Sequence, residues 1–257
     1  MILKDQKALI VGGGGFLGRA IAKAFKREGA ILIIADLNLE EAFDALKWAQ
    51  GEQGGLALTI DVSDPSSCNN LVAQVIERFG RLDILVNCAA LCLVDELIDI
   101  TPERWDQVFE VNARGAFFCM QAVAKAMIRQ KFGRIINVST PASRGAFPYF
   151  ATYGASKAAI DSISRAAALA WAQHGITVNS IVPGRLTGGM VDRLADDLAK
   201  INNKTTEQMK SEQTATLPMR RRVRPEEVAE AAVWLASSAA EYVTAERFNF
   251  TGGQELG

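Results

Sequence analysis

Lys7-Ala8-Leu9-Ile10-Val11-Gly12-Gly13-Gly14-Gly15-Phe16-Leu17-Gly18 is the stretch that decides the fold. Four apolar residues after a lysine predict a buried strand over 7–11, and the glycine run ends it. A helical pattern follows over 17–28, with Leu17, Ile21, Ala24 and Phe25 on one face. Gly13, Gly15 and Gly18 satisfy G-x-G-x-x-G in a strand–turn–helix setting. Without Cβ atoms such a turn is tight, and its backbone can approach a pyrophosphate. The helix N-terminus then offers free N–H groups and a favourable dipole.

The second strand, 31–36, ends in Asp36, 18 residues beyond Gly18. A carboxylate there accepts hydrogen bonds from an adenosine ribose and repels a 2′-phosphate, which predicts NAD rather than NADP. The plainer alternative is a cap on the helix expected over 39–50.

Outward from this unit, apolar strands alternate with helical patterns. Strands are expected at 56–60, 83–87, 134–139, 176–182 and 247–250, making seven. Asp64-Pro65 starts a helix that runs to Phe79 and stops at Gly80. Thr101-Pro102 starts another, continuing to Met127 with a break near Gly115. One long helix covers 150–174, and a further one covers 225–237. Strands that are apolar throughout are buried on both faces. The fold class is therefore α/β, a Rossmann-type doubly wound parallel sheet with helices on both faces. The polar stretch 185–224 breaks the rhythm. It carries Thr205-x-x-Gln208, a capping-box pattern, and is long enough to be a lid. Its Arg185, Thr187, Asp192 and Arg193 are polar contacts suited to a hydroxylated ligand. The run Arg220-Arg221-Arg222 is expected as a solvated loop.

The 257 residues, 49% of them hydrophobic, suffice for one large core. With 28 Lys+Arg against 29 Asp+Glu, no net field attracts nucleic acid or an anionic membrane. The single histidine, His174, argues against a metal site and is expected as a helix C-terminal cap. Cys68, Cys88, Cys92 and Cys119 form no CxxC pair and are expected as reduced thiols. The N-terminus has no h-region, and no apolar run approaches membrane length, so a cytoplasmic location is expected.

Tyr153-Gly154-Ala155-Ser156-Lys157 lies on the long helix. Residues four apart share a face, and a cation beside a phenol favours phenolate. That suits a tyrosine exchanging a proton with an alcohol while hydride moves to a nicotinamide.

In order, the chain carries the glycine turn, Asp36, Asp61-Val62, Asn87-Cys88-Ala89-Ala90 and Asn112. Ser139-Thr140, Tyr153-x-x-x-Lys157 and Pro183-Gly184 complete the set. This ordered set resembles the short-chain dehydrogenases/reductases over nearly the whole chain. The resemblance implies Tyr153 as general acid/base, with Lys157 lowering its pKa and bonding the nicotinamide ribose. It implies Asn112 holding a water that leads to Lys157, and Thr140 orienting the substrate oxygen. Ser139 and Ser143 are alternatives to Thr140. Gly12, Gly15, Phe16, Leu17 and Gly18 would bind the pyrophosphate, and Asp61 and Val62 would flank the adenine. Asn87 and Ala89 would lie along the cofactor, and Pro183 and Gly184 beside the nicotinamide.

Val11, Phe16, Cys88, Ala90 and Thr251 depart from the family's usual Thr, Gly, Asn, Gly and Asp. The Gly12, Gly15, Gly18 spacing looks like the turn of the family's extended branch.

These residues imply a single domain over 1–257, with 185–224 closing on the substrate. NAD is the expected cofactor and a small alcohol or carbonyl compound the expected partner. The stretches 84–90, 121–127 and 242–253 are similar to the family's sorbitol and galactitol dehydrogenases, which implies a polyol or sugar. The alternatives are a 3-oxoacyl thioester reductase and a catalytically weak dinucleotide-binding regulator. By resemblance, the helices over 101–127 and 150–174 pack between subunits of a homotetramer.

Overall fold

The computed structural model describes residues 1–254; positions 255–257 of the expected domain lie outside the described residues. The strands are β1 (Lys7–Val11), β2 (Ile31–Asp36), β3 (Leu56–Thr59), β4 (Ile84–Asn87), β5 (Gly133–Val138), β6 (Ile176–Pro183) and β7 (Arg247–Phe250). They form one sheet in the order β3-β2-β1-β4-β5-β6-β7, and every pairing is parallel. The chain first builds outward from β1 to β3, then returns to β4 on the other side of β1. The crevice where the direction reverses lies beyond the C-terminal ends of β1 and β4, the usual ligand position in such sheets.

The helices between them are α1 (Phe16–Arg27), α2 (Leu39–Trp48), α3 (Pro65–Phe79), α4 (Pro102–Phe109), α5 (Ala116–Gln130), α6 (Ala151–Trp171), α7 (Met190–Ile201), α8 (Thr206–Ala215) and α9 (Pro225–Ala236). Alternate strand residues point to opposite faces. Ala8, Ile10, Leu32, Ile34, Ile84 and Val86 pack under α1, α2 and α9. Leu9, Val11, Ile33, Ala35 and Leu85 pack under α3, α5 and α6. This two-sided burial explains why β1, β2 and β4 are almost continuously apolar.

The local signals match their elements. Asp64 accepts from the Ser66 N–H at 2.8 Å, and Gly80 closes α3 at φ 72°. Thr205 and Gln208 form the reciprocal capping box of α8. The break near Gly115 is a π-helical turn, Glu110–Gly115, between α4 and α5. The expected single helix over 150–174 is in fact three pieces: a 3-10 turn (Pro148–Phe150), α6, and a second 3-10 turn (Ala172–His174) closed by Gly175 at φ 72°. The expected 134–139 strand begins and ends one residue earlier. The Arg220-Arg221-Arg222 run is not uniformly solvated, because the Arg222 side chain is only 10% exposed. Among the described residues no helix is long and apolar enough to cross a membrane, and all four cysteines are free.

Candidate active site

A cleft of about 950 Å³ opens at the C-terminal ends of β1, β2, β4, β5 and β6. Gly12, Gly14, Gly15, Phe16, Leu17 and Gly18 line one end of it. Gly12 turns at φ 73°, and a Cβ there would fall 2.4 Å from the Ala89 nitrogen. The glycine turn and the loop after β4 therefore touch only because the side chain is missing. Gly13 departs from the motif reading. It is buried, and its position faces the Ile34 and Ile10 side chains instead of the cleft.

Gly15 caps α1 without a side-chain bond, and the first turn has no acidic residue. The free N–H groups there are left for an anion. Asp36 lines the cleft and accepts from the Gly14 N–H at 2.9 Å. It does not cap α2; Asn38 does, accepting from Glu40 at 2.9 Å. Glu41 joins Asp36 at this end, ion-paired to Arg19. Asp61 and Val62 line the same end, and Asp61 accepts from the Ser63 N–H at 2.9 Å.

Ser139, Thr140, Tyr153, Pro183 and Gly184 line the other end, together with Ala89. Thr140 is extended at φ −155°, as the following Pro141 demands. Burial raises the Tyr153 pKa, an effect that the Thr140 side chain offsets only in part. Lys157 stands one helical turn along, its Nζ 5.9 Å from the Tyr153 ring centroid and donating to the Val138 carbonyl at 2.7 Å. Burial pushes its ammonium down to about 8.

Three predicted residues do not line the cleft. Lys157 lies behind Tyr153. Asn112, fully buried in the π-helical turn, accepts from the Leu91 N–H and donates to the Leu91 carbonyl, both at 2.7 Å. It also donates to the Ser156 hydroxyl at 3.0 Å. Asn87 donates to Asn137 at 2.8 Å within the sheet. Ser143 is also elsewhere: it donates to Asp161 at 2.7 Å and accepts from Arg247 at 2.9 Å. Of the three candidate hydroxyls, Ser139 and Thr140 line the cleft with Tyr153, and Thr140 is the one that acts on the Tyr153 pKa.

Sequence reasoning missed Cys88 and Cys92, which line the cleft beside Tyr153. Burial pushes both thiols up to about 12, so they stay protonated. It also missed the apolar wall of Phe147, Phe150, Leu194 and Leu198. The packing of α7 and α8 against Val94, Tyr149 and Phe150 helps assemble that wall, so no local signal marked it. Of the four polar contacts expected in the lid, Arg185 and Arg193 line the cleft.

A family model described as enoyl-(acyl carrier protein) reductase matches residues 15–255. A sorbitol dehydrogenase of Cereibacter sphaeroides is 38% identical over 254 residues, with 98% of each chain covered. A galactitol 2-dehydrogenase of Agrobacterium fabrum is 36% identical, again over 98% of each chain. The crystal structure of an NAD+-bound xylitol dehydrogenase superposes with a TM-score of 0.93 at 28% identity, covering 98% of this chain and all of that one (100%).

Proposed function

The chain belongs to the short-chain dehydrogenase/reductase family, and on that premise we propose that it oxidises a secondary alcohol of a polyol or sugar with NAD, or reduces the matching ketone. One observation carries this reading. The glycine turn and Asp36 share a single cleft with Thr140 and a tyrosine backed by a buried lysine.

The residues present fit a dinucleotide. The glycines leave a cradle that side chains would fill, and the uncapped α1 N-terminus faces it. Asp36, with Glu41 beside it, would hold the adenosine ribose and disfavour a 2′-phosphate, which favours NAD over NADP. When bound, NAD supplies the hydride acceptor. The protein's own part is proton transfer and positioning. Tyr153 takes the alcohol proton as phenolate, or returns it as phenol in reduction. Thr140 holds the substrate oxygen against it. The Lys157 cation favours the phenolate, and the Val138 carbonyl fixes where that cation sits. Asn112 pins the loop at Leu91 between the cofactor end and Lys157, alongside the water-holding role implied for it. The segment 185–224 acts as the lid.

The chain is also read as a homotetramer in the reducing cytoplasm. Leu169 on α6, 85% exposed, supports a second copy on that face. NAD-linked oxidation of a polyol panel tests the function. Turnover on at least one polyol is expected. No turnover on any, with NADPH-linked reduction of 3-oxoacyl thioesters, would replace it.

A further inference from the structure

Arg185 follows Gly184 directly and lines the cleft. Its Nε is buried and makes no hydrogen bond, and among the described residues its guanidinium has no ion pair. Burial lowers its pKa, and the charge of Arg222 lowers it further. The residue is only partly buried, but its Nε is enclosed without a hydrogen-bond acceptor, and an enclosed donor left unpaired is costly unless a ligand supplies the acceptor.

Arg193, on the first half of α7, lines the same cleft and likewise has no carboxylate partner among the described residues. Its neighbour Asp192 is already shared, 3.1 Å from Lys210 and 3.5 Å from Arg222. The carboxylates that do line the cleft are Asp36, Glu41 and Asp61, all at the adenosine end. The cleft therefore holds two guanidinium groups, Arg185 and Arg193, with no carboxylate partner among the described residues.

Guanidinium forks match carboxylate and phosphate oxygens in a bidentate manner. We propose that Arg185 and Arg193 form a binding site for an anionic group, carboxylate or phosphate, carried by the polyhydroxylated substrate. This rests on the reading of the cleft as a site of alcohol oxidation and narrows its substrate class. The alcohol to be oxidised lies at Tyr153, and the anionic end of the same molecule lies under the lid.

The test compares matched compounds in the gluco and galacto series: the neutral hexitol, the aldonate and the hexitol 6-phosphate. Each is assayed with NAD using the wild-type protein, Arg185→Met, Arg185→Lys and Arg193→Met. In one series or the other, kcat/KM for an anionic member is expected to exceed that of the neutral hexitol at least tenfold. Arg185→Met is expected to collapse that ratio through KM, Arg185→Lys to restore part of it, and Arg193→Met to reduce it less. Aldonate and phosphate are told apart by which member is preferred. A neutral preference in both series, or an anionic preference that survives Arg185→Met, overturns the proposal while leaving alcohol oxidation standing. A tenfold weaker NADH affinity in Arg185→Met, with the ratio unchanged, assigns the guanidinium to the cofactor's pyrophosphate and also overturns it. Oxidation of none of these compounds, nor of any other polyol, overturns the underlying reading as well.

Discussion

The Lys157 ammonium donates to the Val138 carbonyl at 2.7 Å and is otherwise enclosed, with only 3% of the residue exposed. Enclosure holds its pKa at about 8, against 10.5 for a free lysine. Below pH 8 the charge is present in both folded and unfolded chains, and folding bears its full desolvation cost. Between about 8 and 10.5 the unfolded chain binds more protons than the folded one, so stability rises with pH. Relative to Lys157→Met, the wild type should gain up to about 3 kcal/mol across that window. Urea unfolding of both proteins at neutral pH and at pH near 10 measures the change. Parallel pH curves would contradict it.

Thr140 lines the cleft with Tyr153, whereas Ser143 bridges Asp161 and Arg247. Thr140→Ala should lower kcat by about 100-fold, the scale for loss of a positioned donor at a reacting oxygen. Thr140→Ser should keep most of the rate. Ser143→Ala should act mainly on stability, by about 1–3 kcal/mol for the buried groups left unpaired. Steady-state kinetics with thermal melts separate the two. Full turnover in Thr140→Ala with loss in Ser143→Ala would reverse the assignment.

Asp36, proposed to hold the adenosine ribose, lines the cleft and accepts from the Gly14 N–H. Asp36→Ser should raise kcat/KM for NADP relative to NAD at least tenfold, or about 1.4 kcal/mol. Unchanged preference would show that this carboxylate does not select the cofactor.

Phe16 stands half exposed at the mouth of the glycine turn, 51% accessible. Its side chain lies so close to the segment 185–224 that a Cβ on Gly188 would come within 2.6 Å of the ring, and one on Gly189 within 2.8 Å of the Phe16 Cβ. Both glycines also turn at positive φ, 81° and 68°, which L side chains resist. Phe16→Ala should loosen the lid against the turn. Faster limited proteolysis within 185–224 and a KM for NAD raised about threefold to tenfold are expected, since each tenfold is about 1.4 kcal/mol of lost contact. A proteolysis rate equal to wild type would contradict this.

The fold was legible because its signals are local. The β1–turn–α1 unit, the Asp64-Pro65 start and the Thr205–Gln208 box each occupy a few adjacent residues. Continuous apolar runs announced two-sided burial. What escaped depends on long-range partners. Ser143 could be removed from the candidate hydroxyls only once Arg247, 104 residues away, was seen to hold it. Asn87, which the resemblance sets along the cofactor, has its amide nitrogen held by Asn137, 50 residues on. Gly13 matched the glycine spacing, yet the register of β1 on β2 sets it against Ile34. The contact between Phe16 and Gly188 follows from how the lid returns over the turn, which no spacing rule encodes.

Hydride transfer with Tyr153 as the acid/base is tested most directly by one comparison. Wild type and Tyr153→Phe are mixed with NAD and a polyol that the wild type oxidises, and reduced nicotinamide is followed by absorbance, with NADH binding titrated in parallel. Loss of at least 100-fold in rate with NADH affinity within twofold of wild type is the expected result. A Tyr153→Phe protein that binds NADH normally and oxidises the polyol at the wild-type rate would contradict the assignment.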